Sequence, residues 1–345
     1  MRFVAFIVVL FVLAGAAAYA TLNSFNYFDD VEHSFAGQCT PVAGIAGPED
    51  IQIDNARARV YISSLDRRAD DARGAIHMFD ISDPLGAEGW RDLTMGAPAD
   101  FKPLGLDYYE DGDVRRLFVV NEANNGVEMF DIGDDGALVH IETFTERRLT
   151  SPNNVVAVGR RSFYVTNDVR PGRNTRVADI HFLTRQASGE VLYTNGTSWR
   201  VAADGLRFAN GVEASADGAR IYVAETAGGA VRIYDRNAQT GALTLAKIIQ
   251  LSAAPDNITI DDAGALWIAA LPKPLSVPEH GENPDKPAPS EIIRIDVDGD
   301  QQTIYRDDGG ELSAATTAAR LGQTLIIGAF YEKKFLICDL PAGEI

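Results

Sequence analysis

Histidine and cysteine are scarce in this chain, five and two among 345 residues. Two cysteines, Cys39 and Cys338, exclude a disulfide-stapled scaffold, and they lack the paired spacing of a zinc site. Basic residues are also short: 31 Lys+Arg stand against 49 Asp+Glu, a formal net charge of -18. That balance repels a phosphate backbone, which argues against nucleic acid as a partner and favours cations. There is no Gly-x-Ser-x-Gly elbow, no Gly-x-x-x-x-Gly-Lys loop and no His-Glu-x-x-His helix, so serine hydrolase, nucleotide and zinc-protease chemistry lack support. What is present is ordinary globular material, 46% hydrophobic with 31 Gly and 15 Pro. Disorder is excluded as the main state, and the length would suit about two average domains.

Charge is absent from Phe3 to Ala20, a run that ends in small residues and is followed by no charge until Asp29. Its length is about that of the shortest spanning helices, so residues 1–24 read as a signal peptide or a membrane anchor. A buried helix is disfavoured because the run has no polar face. The remainder is expected to be exported, secreted or periplasmic, with any membrane contact made through this segment alone. A disulfide can persist there.

The exported part repeats. Short strand patterns start near Pro48-Glu49-Asp50-Ile51, Pro103-Leu104-Gly105-Leu106, Pro152-Asn153-Asn154-Val155, Ala209-Asn210-Gly211-Val212, Pro255-Asp256-Asn257-Ile258 and, less clearly, Leu312-Ser313-Ala314-Ala315. Positions 49, 104, 153, 210 and 256 lie 55, 49, 57 and 46 residues apart. Each start is followed by a second strand such as Val60–Ser63 or Phe163–Asn167. Third strands alternate apolar and polar residues, as in Val127-Glu128-Met129-Phe130-Asp131, the signature of half-buried antiparallel pairing. Repetition of one strand order predicts an all-β fold, a six-bladed β-propeller of four antiparallel strands per blade over residues 34–345, preceded by a hydrophobic helix. A two-domain α/β fold would need long amphipathic helices between strands, and paired sandwiches have no reason to repeat. If the segment around Phe35 to Val42 closes the last blade, Cys39 meets Cys338; otherwise both remain thiols.

Residues at one phase of successive inner strands converge on one end of a propeller's channel. Glu49, Asn153, Asn210, Asp256 and Asn257 share that phase, although Asn and Asp are disfavoured in strands. Carboxylate and amide oxygens carrying two negative charges match the hard-ligand requirement and charge of Ca²⁺. Any one Asn could simply hold a turn, but turn chemistry gives no reason for a shared inward phase. Asp50 and Asn154 lie one step further along their strands, too few donors alone to define a second site.

These residues resemble the paraoxonase/arylesterase family of six-bladed calcium propellers, itself related to gluconolactonase-like and strictosidine-synthase-like propellers. The likeness covers nearly all of the exported part. It rests on Gly47-Pro48-Glu49-Asp50-Ile51 with Tyr61-Ile62-Ser63-Ser64, Asn153-Asn154-Val155-Val156-Ala157-Val158-Gly159, Phe163-Tyr164-Val165-Thr166-Asn167-Asp168, Phe208-Ala209-Asn210-Gly211, Asp256-Asn257-Ile258 and Cys338. The resemblance implies a catalytic calcium on Glu49, Asn153, Asn210, Asp256 and Asn257, and a ring-closing Cys39–Cys338 disulfide. It also implies a second, structural calcium on Asp50, the backbone carbonyl of Leu106 and Asn154, weakened because the family usually has an aspartate at the last position.

One departure is larger. The histidine pair that the family places above the calcium falls on Leu104 and Glu122, and a further pocket histidine on Leu271. The histidines present, His33, His77, His140, His181 and His280, read as surface residues. The resemblance thus implies an exported calcium-dependent hydrolase of a small apolar lactone or aryl ester, with Asp256 as nucleophile or base and Glu122 as the weaker alternative. Two rivals remain: a calcium propeller that only binds a ligand or partner, and an enzyme of strictosidine-synthase type that joins substrates.

Overall fold

The computed structural model describes residues 2–81 and 89–341. Met1 and 342–345, the outer limits of the two expected segments, lie outside the described residues. An apolar helix, α1 (Arg2–Ser24), comes first, long and apolar enough from Phe3 to Ser24 to cross a membrane. It fits a signal or anchor segment. The chain after it docks on the protein: Phe25 is buried and stacks on Phe182 at 5.4 Å, and the Asn26 amide donates to the Ser252 carbonyl at 3.0 Å.

Most of the remaining described residues belong to six antiparallel sheets, the six blades of a propeller. Their inner strands are Pro48–Asp54, Pro103–Asp111, Pro152–Ala157, Ala209–Ala214, Ala254–Ile260 and Ala315–Leu321. Each is hydrogen-bonded to the next strand in the chain, so every blade starts at the channel and runs outward. The apolar faces of neighbouring blades pack together; Ile51, Ile62 and Phe79 of the first meet Ile326 and Phe335 of the last. The sixth repeat begins at Ala315, three residues later than its expected start at Leu312, because Ala315 pairs with Ala329 as Pro48 pairs with Ser64.

The ring closes through the chain's own early segment. Ser34–Phe35 adds a fifth strand to the edge of blade 5, and Gln38–Ala43 forms the outer strand of blade 6. Cys39 lies directly opposite Cys338 and is bonded to it, across a sequence separation of 299. In the chain-entropy model a loop of that size contributes about 5 kcal/mol. Together with the apolar helix, this bond fits a secreted protein.

Two excursions rise above the channel. Between the second and third strands of blade 3 lies α2 (Arg176–Leu183), started by Thr175, whose side chain accepts from the Ala178 N–H. The corresponding segment of blade 5 forms a 3-10 turn and α3 (Val277–Glu282). The Arg68 guanidinium clamps α3, donating to the carbonyls of Gly281 at 3.2 Å and His280 at 2.8 Å.

Candidate metal centre

One local device repeats in all the inner strands. Their ladders lose register within the first residues, between Pro48 and Ile51, Pro103 and Leu106, Pro152 and Val155, Ala209 and Val212, Pro255 and Ile258, and Ala315 and Thr317. Such a bulge breaks the alternation of faces and re-aims side chains. Consecutive residues can therefore both face the axis. The freed amides of Asp50 and Asn154 are taken up by hydroxyls of the adjacent strands, Ser63 at 3.0 Å and Thr166 at 2.9 Å.

The first bulge position of each blade forms the mouth layer: Glu49, Leu104, Asn153, Asn210, Asp256 and Thr316. Glu49, Asn153, Asn210 and Asp256 are buried, and all six line one cavity. The second positions form a layer beneath it, with Asp50, Asn154, Asn257 and Thr317 joined across blades. Asn154 bridges Asp50 and Asn257, and the Thr317 hydroxyl donates to Asp50 at 3.1 Å. Glycine fills the other two places because the axis is crowded. A Cβ on Gly105 would lie 2.5 Å from the Asn154 Cα, and one on Gly211 would lie 2.6 Å from that of Asn257.

Hydrogen bonding in the mouth layer leaves particular oxygens free. The Asn210 amide nitrogen donates to the Thr226 hydroxyl at 3.1 Å, which itself donates to the Pro255 carbonyl, so Asn210 Oδ1 is turned inward. Glu49 Oε1 accepts from Asn257 at 3.0 Å. Glu49 Oε2, Asn153 Oδ1 and Asn210 Oδ1 are buried with no hydrogen-bond partner among the described residues. Unpartnered buried oxygens are costly. Three of them in one layer with the Asp256 carboxylate are the donor set of a hard cation, and the residues fit calcium in chemistry and charge. Burial, reinforced by the Asp50 charge, pushes the Glu49 carboxyl up to about 8. Burial and then the Glu49 charge raise Asp256 well above the usual carboxylate range.

The layer beneath differs in character. Asp50, Leu106 and Asn154 do come together, but Leu106 reaches Asp50 with its N–H, at 2.9 Å, and Asn154 with its amide nitrogen, at 3.1 Å.

Arginine enters the mouth from loops that sequence reasoning passed over. Arg173 donates to both Glu122 and Asp168, and Arg67 lies 3.6 Å from Glu122 with its guanidinium 4.1 Å from the Phe330 ring centre. When all four are ionised, the carboxylates of Glu49, Asp256, Glu122 and Asp168 exceed these two guanidiniums by two negative charges, the charge that a bound divalent cation would offset. A positional rule could have found both arginines. Segments that follow second strands open on the same face as inner-strand starts, and Arg67, Glu122 and Asp168 all sit there.

Among the described residues no histidine lines the cavity. The expectation that all five lie on the surface fails for two: His77 is buried against Ser64 and Trp90, and His280, a residue of α3 itself, is buried between the Lys286 carbonyl and Arg68. Aromatic and apolar contacts at a blade face and a clamped excursion bury them where the chain pattern suggested edge strand and loop. Above the mouth layer the cavity, about 560 Å³, has apolar walls that include Leu104, Val169, Phe182, Phe208, Leu271 and Phe330. Phe208 holds a left-handed backbone, φ 65°, immediately before its inner strand, strain of the kind that collects at ligand clamps.

A family model described as Arylesterase matches residues 44–340. The chain belongs to the arylesterase family. It is 31% identical to serum paraoxonase/arylesterase 2 of Gallus gallus over 95% of this chain and 96% of that one. With serum paraoxonase/arylesterase 1 of Homo sapiens it shares 29% identity, covering 94% of each chain. The solved structure of a gluconolactonase from Xanthomonas campestris has the same fold, with a TM-score of 0.58 at 17% identity over 91% of this chain and 95% of that one. Membership of the arylesterase family supports a hydrolase of esters or lactones.

Proposed function

We propose that this protein is an exported, calcium-dependent hydrolase of small apolar lactones or aryl esters. The observation that carries the reading is the set of three buried, unpartnered oxygens, Glu49 Oε2, Asn153 Oδ1 and Asn210 Oδ1, set beside Asp256 at the floor of an apolar cavity. Calcium held by these four residues would supply a Lewis acid for the scissile carbonyl. The apolar walls bind the acyl or aryl part of the substrate and exclude water from all but the floor. Glu122 spends its oxygens on Arg173 and Arg67, which leaves Asp256 as the acceptor for the proton of the attacking water, or as the nucleophile itself. Arg173 and Arg67 keep the surrounding carboxylates paired.

The absence of histidine from the cavity lining favours one rival, a propeller that binds calcium and a ligand without turnover. Purified protein assayed on a panel of lactones and aryl esters, with and without chelator, separates the two. Turnover should vanish on chelation and return with calcium. Asp256→Asn, which keeps one oxygen donor, should lower kcat by roughly 10²-fold or more at calcium concentrations that saturate the variant. Calcium binding with no turnover on any member of the panel would establish the rival.

A further inference from the structure

We propose that the chain holds one divalent ion, in the mouth layer, and that hydrogen bonds take the place of a second ion beneath it. This deepens the calcium reading above and rests on it. The deciding group is the Asn154 amide. Its Oδ1 accepts from the N–H of the next residue, Val155, at 2.7 Å, which fixes the orientation; the reverse would set two donors face to face. The Nδ2 then points into the lower layer and spends both protons, on Asp50 Oδ2 at 3.1 Å and Asn257 Oδ1 at 2.7 Å. An NH₂ group repels a cation.

Asp50 needs no cation either. Its Oδ2 also accepts from the Leu106 N–H at 2.9 Å, and its Oδ1 accepts from the Ile51 N–H at 2.9 Å and the Thr317 hydroxyl at 3.1 Å. Donors on four residues of four blades, 1, 2, 3 and 6, saturate one carboxylate, which is how proteins settle a buried anion without an ion.

The same orientation passes upward. With its oxygen taken by Asn154, Asn257 turns its own nitrogen to Glu49 Oε1 at 3.0 Å and the Glu49 carbonyl at 3.3 Å. Asn257 therefore acts as a donor that aims Glu49, and the mouth ion is left with Glu49, Asn153, Asn210 and Asp256. A carboxylate at position 154 would reverse every step. It would accept from the Asn257 nitrogen, free Asn257 Oδ1 for the mouth, and stand beside Asp50 as a like charge that calls for a second cation.

The test is a count. Full-length protein is stripped with chelator and dialysed to equilibrium against calcium, and bound metal per chain is measured, with circular dichroism as the check on folding. The parent should bind one ion and Asn154→Asp two. Asn257→Ala should weaken the ion less than tenfold and Asn153→Ala more than a hundredfold. Two ions in the parent, one in a folded Asn154→Asp, or equal losses in the two alanine variants would overturn the relay. If Asn154→Asp does not fold, the parent count and the alanine pair still decide. No ion in the parent would overturn the calcium reading together with the relay, whereas two would leave that reading standing.

Discussion

Glu49 is a carboxyl group in a place where ionisation is expensive. Burial and the neighbouring Asp50 charge hold it at about 8, and Arg67 and the Asn257 hydrogen bond only partly offset them. A cation takes the ionised form, so the proton must leave first. The folded pKa is raised above the ordinary value for a glutamate; the protonated form is favoured below about pH 8 and the site becomes fully available only above it. Calcium affinity should therefore fall as pH drops from about 9 to about 6, by up to roughly tenfold per unit, with proton release on binding. Calcium titrations across that range in weak buffer check both, and a flat affinity would refute the account. That Glu49, Asn153, Asn210 and Asp256 would face one another was legible from their shared phase in the repeat, and for the last three also because Asn and Asp stood at strand starts where propensity disfavours them. Arg67 and Arg173 went unread, since a loop arginine gains its signal only from the rule that segments following second strands open at the channel mouth. Thr316 and Thr317 went unnoticed inside an Ala-Thr run whose pattern marks neither turn nor ligand.

The bulged inner strand is the element on which the site depends, and its glycines set how close the blades approach. A methyl group on Gly211 would meet the Asn257 Cα and the Asp256 carbonyl, both at 2.6 Å, and backbone cannot swing aside. Gly211→Ala should cost roughly 1–3 kcal/mol through overpacking, and should weaken calcium because Asp256 is displaced. Thermal melts with and without calcium read both effects; a parent-like melt with parent-like calcium stabilisation would show that the layer has slack. At this scale most strands were readable, because β-branched and aromatic residues alternate with polar ones wherever one face packs on the next blade. Where alternation was interrupted, reading failed. The third strand of blade 3, Gly189–Thr194, is buried throughout and follows an excursion that contains α2, and the outer strand of blade 1 is only Arg91–Asp92. The mixed composition around α3, with its Pro278 and Gly281, gave no sign that the segment is clamped over the cavity by Arg68.

The whole molecule is a ring sealed by a strand that arrives from the far end of the chain. Replacing both Cys39 and Cys338 by serine should lower stability by up to about 5 kcal/mol while leaving the blade 6 ladder in place. Calorimetry on the variant and on the reduced parent measures this, and unchanged midpoints in both would show that hydrogen bonding alone fastens the seam. That the ring closes with a disulfide was conditional in the sequence, since it depended on which strand completes blade 6; the register of Gln38–Ala43 against Lys334–Asp339 supplies the condition. The arrangement also imposes an order of events in time. Residues 38–43 are synthesised about 300 residues before their mates at 334–339. Until the two segments meet the final blade lacks its rim, its neighbour strand stays open to wrong partners, and oxidation has no correct target, so thiol consumption should be the latest milestone of maturation and a direct clock for its completion.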